Sequence, residues 1–378
     1  MGYLDTRIAQ LYANEGNLDS NMASKEMFPL LQFAHEQSPL LVTEDLRRKA
    51  FNSQGTVVKY PVMARENITI GNSRNCSISA DDASTSLVSV TWTPYVAKLV
   101  FSPADFQNNA YDANKAYSRM LNDRIKALAK SIQSGILSVV SANKNTKYND
   151  LLGYGLVGNA IQCPFSQREE LFMDLNAISA ANEFDGHLNV FGNSGIMSIY
   201  KKLFEKGANN MVNKMLELED KSFGFTTAIT NETGVFGTGY AIPNGQLAIL
   251  TRVDVEAMNG TKTTNGHEFG TMMLPGIPFP VGYHYYETVG NRNAEGETAA
   301  YRDCVKEEHL ELSVDVATLV QYNSDTTNIP NPIMKFEVLT STASNRFATD
   351  VNVESSGLFV KVIESSGSGS SSSSNEGV

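Results

Sequence analysis

Two stretches of alternating hydrophobic and polar positions lie on either side of a small, polar segment near the N-terminal third of the chain. The alternation covers residues 56–70 and 87–101, and residues 72–86 between them are almost wholly small and polar. Alternation is typical of strands, because successive side chains of a strand point to opposite faces. Val88, Val90 and Trp92 then share one face. The pattern predicts an extended β-loop over residues 56–101.

The next segment, residues 112–143, follows a helical period. Apolar side chains recur there every three or four residues, which places them in one stripe along the helix: Tyr117, Leu121, Ile125, Leu128, Ile132, Ile136 and Val139. Thirty residues at 1.5 Å each form a rod of about 45 Å. This length exceeds that of most helices in globular domains. The segment therefore predicts a beam that crosses the molecule.

A compact α/β stretch follows. Ser166 and Glu169 have the spacing of a capping box and predict the start of one helix. Residues 187–191 predict a short strand, and Ser194 is the expected N-cap of a second helix. Further on, residues 281–289 and 305–322 alternate again and predict two long strands.

These patterns indicate an α+β fold class with several segments. We expect the following boundaries: an N-terminal arm (1–55), the extended β-loop (56–101), a peripheral domain with the long helix (102–165), an axial domain (166–275), returning strands of the peripheral domain (276–364), and a disordered Ser/Gly tail (365–378).

Composition narrows the class of partner. The formal net charge is −11, and the strongest basic cluster is Arg47-Arg48-Lys49. A protein that grips nucleic acid tightly should carry a larger basic surface. The three cysteines lie far apart and predict neither a disulfide framework nor a zinc site. No apolar run approaches the roughly 20 residues that a membrane helix needs, so we expect no membrane partner.

The candidate chemical motifs each have a simpler structural interpretation. Gly192-Asn193-Ser194-Gly195 lies between a strand and a helix, but helix capping explains a serine there. The GxGxxG pattern at 153–158 follows a helix and a polar loop rather than a strand. His309 with Glu307, Glu311 and Asp315 indicates a solvated strand face. We therefore predict no catalytic, cofactor-binding or metal-binding residues and no cofactor.

The order of these elements, from residue 56 through residue 143 and then through the lobe at 171–207 and the strands at 281–322, resembles the major capsid protein of tailed bacteriophages, a fold that encapsulin shells share. The resemblance implies hexamers and pentamers of this chain in an icosahedral shell around double-stranded DNA. It also implies a virion location, assembly in the host cytoplasm, and portal, scaffold or decoration proteins as further partners. Contact with the packaged DNA is expected to be weak and non-specific.

We expect the contacts between subunits to involve Arg65 and Arg74 in the loop and Trp92 on its second arm. Three alternatives stay open from the sequence: an encapsulin-type nanocompartment shell, a β-rich surface binding protein, and an enzyme with a dispersed carboxylate site, which single sequences expose poorly.

Overall fold

The computed structural model describes most of the chain. The described residues are 23, 25–52, 57–63, 85–103, 113–145, 148, 150–184, 186–208, 221–253, 262–264, 266–293, 300–321 and 331–340.

Helices and strands alternate irregularly along these ranges. The α-helices are α1 (Pro29–Leu41), α2 (Glu44–Asn52), α3 (Ala113–Ala142), α4 (Leu171–Ala181) and α5 (Ser194–Ala208). The strands are β1 (Lys59–Met63), β2 (Thr85–Ser89), β3 (Thr93–Phe101), β4 (Gly155–Val157), β5 (Ala160–Cys163), β6 (Leu188–Gly192), β7 (Lys221–Phe225), β8 (Val235–Pro243), β9 (Leu247–Arg252), β10 (Lys262–Thr264), β11 (His267–Met273), β12 (Pro280–Asn293), β13 (Ala300–Val320) and β14 (Met334–Leu339). The predicted α+β class is confirmed.

Helix α3 is the beam that the helical period predicts. It runs unbroken for 30 residues. The predicted stripe is buried from Tyr117 to Ile136, and only Val139 is half-buried. The stripe packs on one face of a sheet, where Leu99, Leu310 and Leu312 meet it in the largest core cluster.

That sheet, which we call the peripheral sheet, is antiparallel and has the order β10-β11-β12-β13-β3, with β9 also on β13. Strands β3 and β9 both pair with Asp315 and Val316 of β13, so they lie on opposite edges of that strand. Strand β9 therefore continues the edge that β12 occupies, since β12 ends its pairing at Ser313. Strand β13 is the common element on which the sheet is built.

The second sheet, which we call the axial sheet, has the order β4-β5-β14-β8-β6-β7. Helices α4 and α5 cover one face, where Val190 joins their cluster. Phe191 faces the opposite way and packs on Phe33 of α1, with ring centroids 5.3 Å apart. The central strands of the axial sheet are thus covered on both faces by the chain's own helices.

Strands β1 and β2 form a separate two-stranded sheet, which we call the ribbon. They pair antiparallel, with Lys59 opposite Ser89 and Met63 opposite Thr85. The base of the ribbon packs in a third, smaller cluster with Val42, Ala50 and the outer side chains of β9 and β13. The extended β-loop is therefore anchored on its own chain at its base.

The strand pairing divides the chain differently from the boundaries expected above. Residues 93–101, expected in the β-loop, form β3 in the peripheral sheet. Strand β14 lies in the axial sheet rather than among the returning strands, and β9 to β11 lie in the peripheral sheet rather than in the axial domain. Alternation shows which residues share a face but does not show which strand is the neighbour, and this is why the pattern could not assign them.

The expected arm also contributes to the core. Helix α1 buries Leu30 and Leu31, which are 1% and 0% exposed, against helix α3 and the sheets. Residues 1–22 of the expected arm and the tail at 365–378 lie outside the described residues.

Two predicted helix caps are wrong. Helix α4 begins at Leu171, after a short 3-10 turn at Phe165–Gln167, so Ser166 does not cap it. At helix α5 the cap is Asn193, whose Oδ1 accepts hydrogen bonds from the backbone N–H of Gly195 at 3.1 Å and of Ile196 at 3.4 Å. Asparagine is as good an N-cap as serine, so the two neighbours cannot be separated by propensity.

Candidate subunit interface

The ribbon has one face against its own chain and one face toward solvent. Val58 and Val90 are 8% exposed and belong to the cluster at the base. On the opposite face, Val57 is 70% exposed and Leu87 is 66% exposed, and Leu87 lies across from the exposed Pro61. This face presents apolar surface that no described residue covers.

The predicted interface residue Trp92 lies at the foot of the ribbon, half-buried in the same cluster. The guanidinium carbon of Arg252 lies 4.6 Å from the centre of its ring. Arg252 also donates two hydrogen bonds to Asp315 Oδ2, from Nε at 3.0 Å and from Nη2 at 2.8 Å. We call this trio the latch, because it joins β9, β13 and the residue that links β2 to β3.

The latch makes Trp92 a contact within the subunit. Its role between subunits is untested and stays a prediction. Arg65 and Arg74, the other two predicted interface residues, lie outside the described residues.

Tyr60 adds a second attachment at the foot of the ribbon. Burial raises the pKa of its hydroxyl above the ordinary value, and a hydrogen bond to the backbone of Val320 partly offsets this. The neutral phenol therefore stays beside β13 at ordinary pH. The ribbon is held at its base by packing, by the latch and by this hydroxyl.

A second open surface is the outer face of the peripheral sheet, which points away from helix α3. Cross-strand neighbours on this face form two rows: His267, Tyr286, His309 and Val100 in the first, and Phe269, His284, Glu311 and Lys98 in the second. Val96 and Val100 are 49% and 48% exposed, and Lys98 forms an ion pair with Glu311 at 3.1 Å. The face mixes apolar, aromatic and charged groups, as subunit interfaces commonly do.

The residues first considered for chemistry are engaged in structure. Asn193 Oδ1 also accepts from the backbone N–H of Thr238 at 3.3 Å, and its amide nitrogen donates to Asn231. His309 Nε2 lies 2.8 Å from the Thr288 hydroxyl and 3.6 Å from Glu307. Among the described residues, no group of three or more His, Cys, Asp and Glu side chains has the spacing of a metal site.

Gly153 and Gly158 belong to the tight turns around β4 and β5. Both have positive φ, 89° and 55°, which glycine adopts without strain. The GxGxxG match is thus explained by turn geometry at the edge of the axial sheet.

A buried ion pair lies in the axial sheet. Lys335 Nζ is 2.7 Å from Glu337 Oε1, and these side chains are only 12% and 3% exposed. Burial is the largest single influence and would lower the pKa of Lys335, but the hydrogen bond to Glu337 and the negative charges of Glu337 and Glu232 together outweigh it, and the pKa is raised. Gln162 Nε2 donates to the other Glu337 oxygen at 3.1 Å. The charge of Glu337 therefore depends on Lys335 for compensation.

This pair adjoins a cleft of about 560 Å³ between helix α3 and the axial sheet. Its lining is hydroxyl-rich: Ser134, Ser138, Ser141, Thr230, Thr238 and Tyr240.

None of the helices in the described ranges combines the length and apolar character needed to cross a membrane.

The chain is similar in fold to solved structures from viruses and virus-like particles. One is the capsid of Myoviridae phage XM1, at 15% identity over 82% of this chain and 92% of that chain, with a TM-score of 0.40. Another is from Mycobacterium phage Che8, at 13% identity over 78% and 89%, with a TM-score of 0.44. A third is the virus-like particle from Pyrococcus furiosus, at 8% identity over 80% and 98%, with a TM-score of 0.35.

No family model and no curated protein matches the chain. The likenesses agree, at the level of fold, with the resemblance that the element order implies.

Proposed function

We propose that this chain is the structural subunit of a closed protein shell, a major capsid protein whose copies form hexamers and pentamers around double-stranded DNA. The observation that carries the proposal is the ribbon. It is anchored at its base and presents Val57, Pro61 and Leu87 on an uncovered face.

A two-stranded ribbon is marginal when only one face is packed. Burying a leucine side chain contributes about 1.5 to 3 kcal/mol, so covering this face by a second copy would stabilise both molecules. The contact is heterologous, since a ribbon meets a different surface of its neighbour, and heterologous contacts repeated around an axis close into rings.

The rest of the subunit suits the role of a tile. Helix α3 is buried along its stripe and connects the peripheral sheet to α1 and the axial sheet through one core cluster. Such a continuous core resists bending, because protein interiors are close-packed and compress little. Each copy can then transmit load between contacts on different edges.

The net charge of −11 favours a shell that encloses DNA without gripping it. We propose that the subunit reaches the virion from the host cytoplasm, and that portal, scaffold or decoration proteins complete the particle. Arg65, Arg74 and Trp92 remain our proposed contacts between copies.

The test is assembly of the purified full-length chain, followed by negative-stain microscopy and sedimentation. We expect closed particles from the unmodified chain, and small soluble species from Leu87→Asp. Leu87→Ile is the matched control, because it keeps an apolar side chain at the same strand position and should still assemble. Charge reversal at Arg65 or Arg74 should also impair assembly without unfolding the subunit.

The outcomes separate the candidates. Unassembled chains at every concentration would exclude the shell. Normal assembly of Leu87→Asp would exclude the ribbon as the contact between subunits. Particles isolated from the native source with an enzyme inside, rather than DNA, would identify a nanocompartment instead.

A further inference from the structure

Two histidines on the outer face of the peripheral sheet point at each other through their ring nitrogens. Nδ1 of His267 on β11 lies 2.9 Å from Nε2 of His284 on β12. His284 is the diagonal neighbour of His267, two residues before its direct partner Tyr286. The ring centroids are 5.1 Å apart, which exceeds the nitrogen separation by about two ring radii. Both nitrogens therefore lie close to the line between the ring centres, as a near-linear hydrogen bond requires.

Aromatic neighbours hold the two rings in this orientation. Phe269 stacks on His284, with centroids 4.4 Å apart and planes 5° apart. The Tyr286 ring lies 4.9 Å from His267 and 5.1 Å from His284. Both histidines are only half-buried, so they exchange protons with water. The pair thus keeps its geometry while its protonation follows the pH of the solvent.

The number of protons on the pair decides whether the hydrogen bond exists. When both rings are neutral, one facing nitrogen donates its N–H and the other accepts it. One further proton makes the donating ring an imidazolium, and the bond becomes charge-assisted, roughly twice as strong as a neutral one. A second further proton must go to the accepting nitrogen. No acceptor then remains, and two positive charges face each other.

Other charged and titratable groups share this face through the strand register. They are Tyr286 on β12, Glu307, His309 and Glu311 on β13, Lys98 on β3 and Lys262 on β10. Glu311 lies opposite His284 but forms an ion pair with Lys98 at 3.1 Å. Glu307 lies 3.6 Å from the ring nitrogen of His309. Each carboxylate thus has a basic partner outside the pair, which weakens the compensation it offers to a second charge there.

We infer that His267 and His284 form a pH-sensitive joint between β11 and β12, which is strongest when the pair holds one extra proton and opens when it holds two. Histidine side chains gain a proton between about pH 5 and 8, so the joint passes through its states in that range. It sets how firmly the β10–β11 edge is attached to the rest of the sheet. This inference does not depend on the proposed function.

Proton linkage gives the sign of the effect. As the pH falls, the closed pair first binds a proton more readily than the open pair, because the bond becomes charge-assisted, and the joint is stabilised. The closed pair then binds the second proton less readily than the open pair, and the joint is destabilised. The stability of the joint should therefore pass through a maximum, whereas a single titrating histidine would change it in one direction only.

The experiment is hydrogen exchange of the full-length chain, read by mass spectrometry on peptides from β11 at a series of pH values from about 8 down to about 5. After correction for the intrinsic pH dependence of exchange, protection of β11 should be highest inside the series. Below that maximum it should fall by about fivefold, the loss expected for one hydrogen bond. His267→Gln and His284→Gln should each remove the maximum, because glutamine does not titrate.

His309→Gln is the matched control. His309 shares the face and the aromatic stack, but its Nε2 contacts Thr288 and Glu307 instead. This variant should keep the maximum in β11. A maximum that survives in both His267→Gln and His284→Gln, or protection in the unmodified chain that changes in one direction only, would overturn the joint.

A second readout detects the bond itself. The chain has five histidines, so selective ¹⁵N labelling of histidine leaves few ring signals. We expect scalar coupling between two imidazole nitrogens across the N–H···N bond at pH 7 in the unmodified chain and in His309→Gln. The coupling should vanish in either of the other variants and at the acidic end of the series. Its absence from the unmodified chain at pH 7 would also overturn the joint.

Discussion

The two six-stranded sheets of this chain differ in how their faces are used. In the axial sheet, all residues of β5 and β6 are buried, because helices lie on both faces. In the peripheral sheet, β13 alternates from Glu308 to Val316 between buried and half-buried positions, because only the α3 side is covered. The same secondary structure thus produces a sealed layer and a half-open one.

The difference locates the surface available to other molecules. From Val316 onward the outer side of β13 is also buried at Ala317 and Leu319, because α2 and the foot of the ribbon cover it there. The open part is therefore the end of the peripheral sheet that carries β3, β11 and β12, together with the outer face of the ribbon. Substitutions in the sealed layer should affect folding, and substitutions in the open layer should affect association.

The largest effect is expected at the buried ion pair of the axial sheet. Lys335→Met leaves Glu337 charged and only 3% exposed, which should lower the free energy of unfolding by about 3 to 5 kcal/mol. Urea denaturation measures it. Adding Glu337→Leu should recover most of the loss, because the unpaired charge is then gone.

The control for this prediction lies on the open face. The Lys98–Glu311 pair has a similar distance, 3.1 Å, but Lys98 is 73% exposed. Lys98→Met should cost less than about 1 kcal/mol. Equal losses at the two lysines would show that the sheets do not differ as described.

The next prediction concerns core truncation, for which the minimum expected loss is lower than for the ion pair. Leu121→Ala removes a side chain that is 0% exposed under the peripheral sheet, and should cost about 2 to 5 kcal/mol in thermal or urea unfolding. Val96→Ala, on the other face of the same sheet and 49% exposed, should change stability by less than about 0.5 kcal/mol. A large loss at Val96 would mean that the outer face is covered within the subunit.

Breaking the latch should lower the free energy of unfolding by an intermediate amount, and the effect should be confined to the region of the ribbon. Arg252→Met removes the stacking on Trp92 and the hydrogen bonds to Asp315, at a cost of about 1 to 2 kcal/mol. Hydrogen exchange should quicken most at the Val90 amide, which donates to the Val58 carbonyl at 2.8 Å in the ribbon. Uniform quickening across the axial sheet would contradict a local role.

The smallest effect is electrostatic. The hydrogen bonds from Lys306 and Tyr285 lower the pKa of Glu287 below its ordinary value of 4.5. A lowered pKa stabilises the fold above that ordinary value, and the contribution is lost as pH falls through the folded pKa. Both partners are about half exposed, 52% and 46%, so Glu287→Gln should reduce the urea midpoint slightly at pH 7, and this loss should shrink as the pH falls through the folded pKa. A loss that stays constant as the pH is lowered would indicate packing rather than charge.

Sequence patterns correctly predicted the elements whose conformation and buried face depend mainly on their own residues. The period of residues 117–136 identifies helix α3 and its buried stripe, because a helix carries its hydrogen bonds within itself. The shared parity of Val88, Val90 and Trp92 likewise identifies the ribbon face that packs inward. The long alternation after residue 305 identifies β13.

Sequence patterns did not predict which strands pair, because the partner strand is often distant along the chain. Strands β2 and β3 follow each other after a short link yet lie in different sheets, and β14 joins β5 from more than 160 residues away. The pairing of His267 with His284 was missed for the same reason, since their nitrogens meet only through the register of β11 with β12. Of these two strands, the sequence predicted only the one at 281–289, so the diagonal contact could not be found from the predicted elements.

Strand β13 has a mechanical consequence. It pairs with β12 and then β9 along one edge and with β3 along the other. A force along the axis of β13 therefore acts perpendicular to the backbone hydrogen bonds of these pairs. Bonds in that arrangement break together rather than one after another. A force applied at the Ala300 end of β13 would therefore be transmitted to the foot of the ribbon before any neighbouring strand separates from β13.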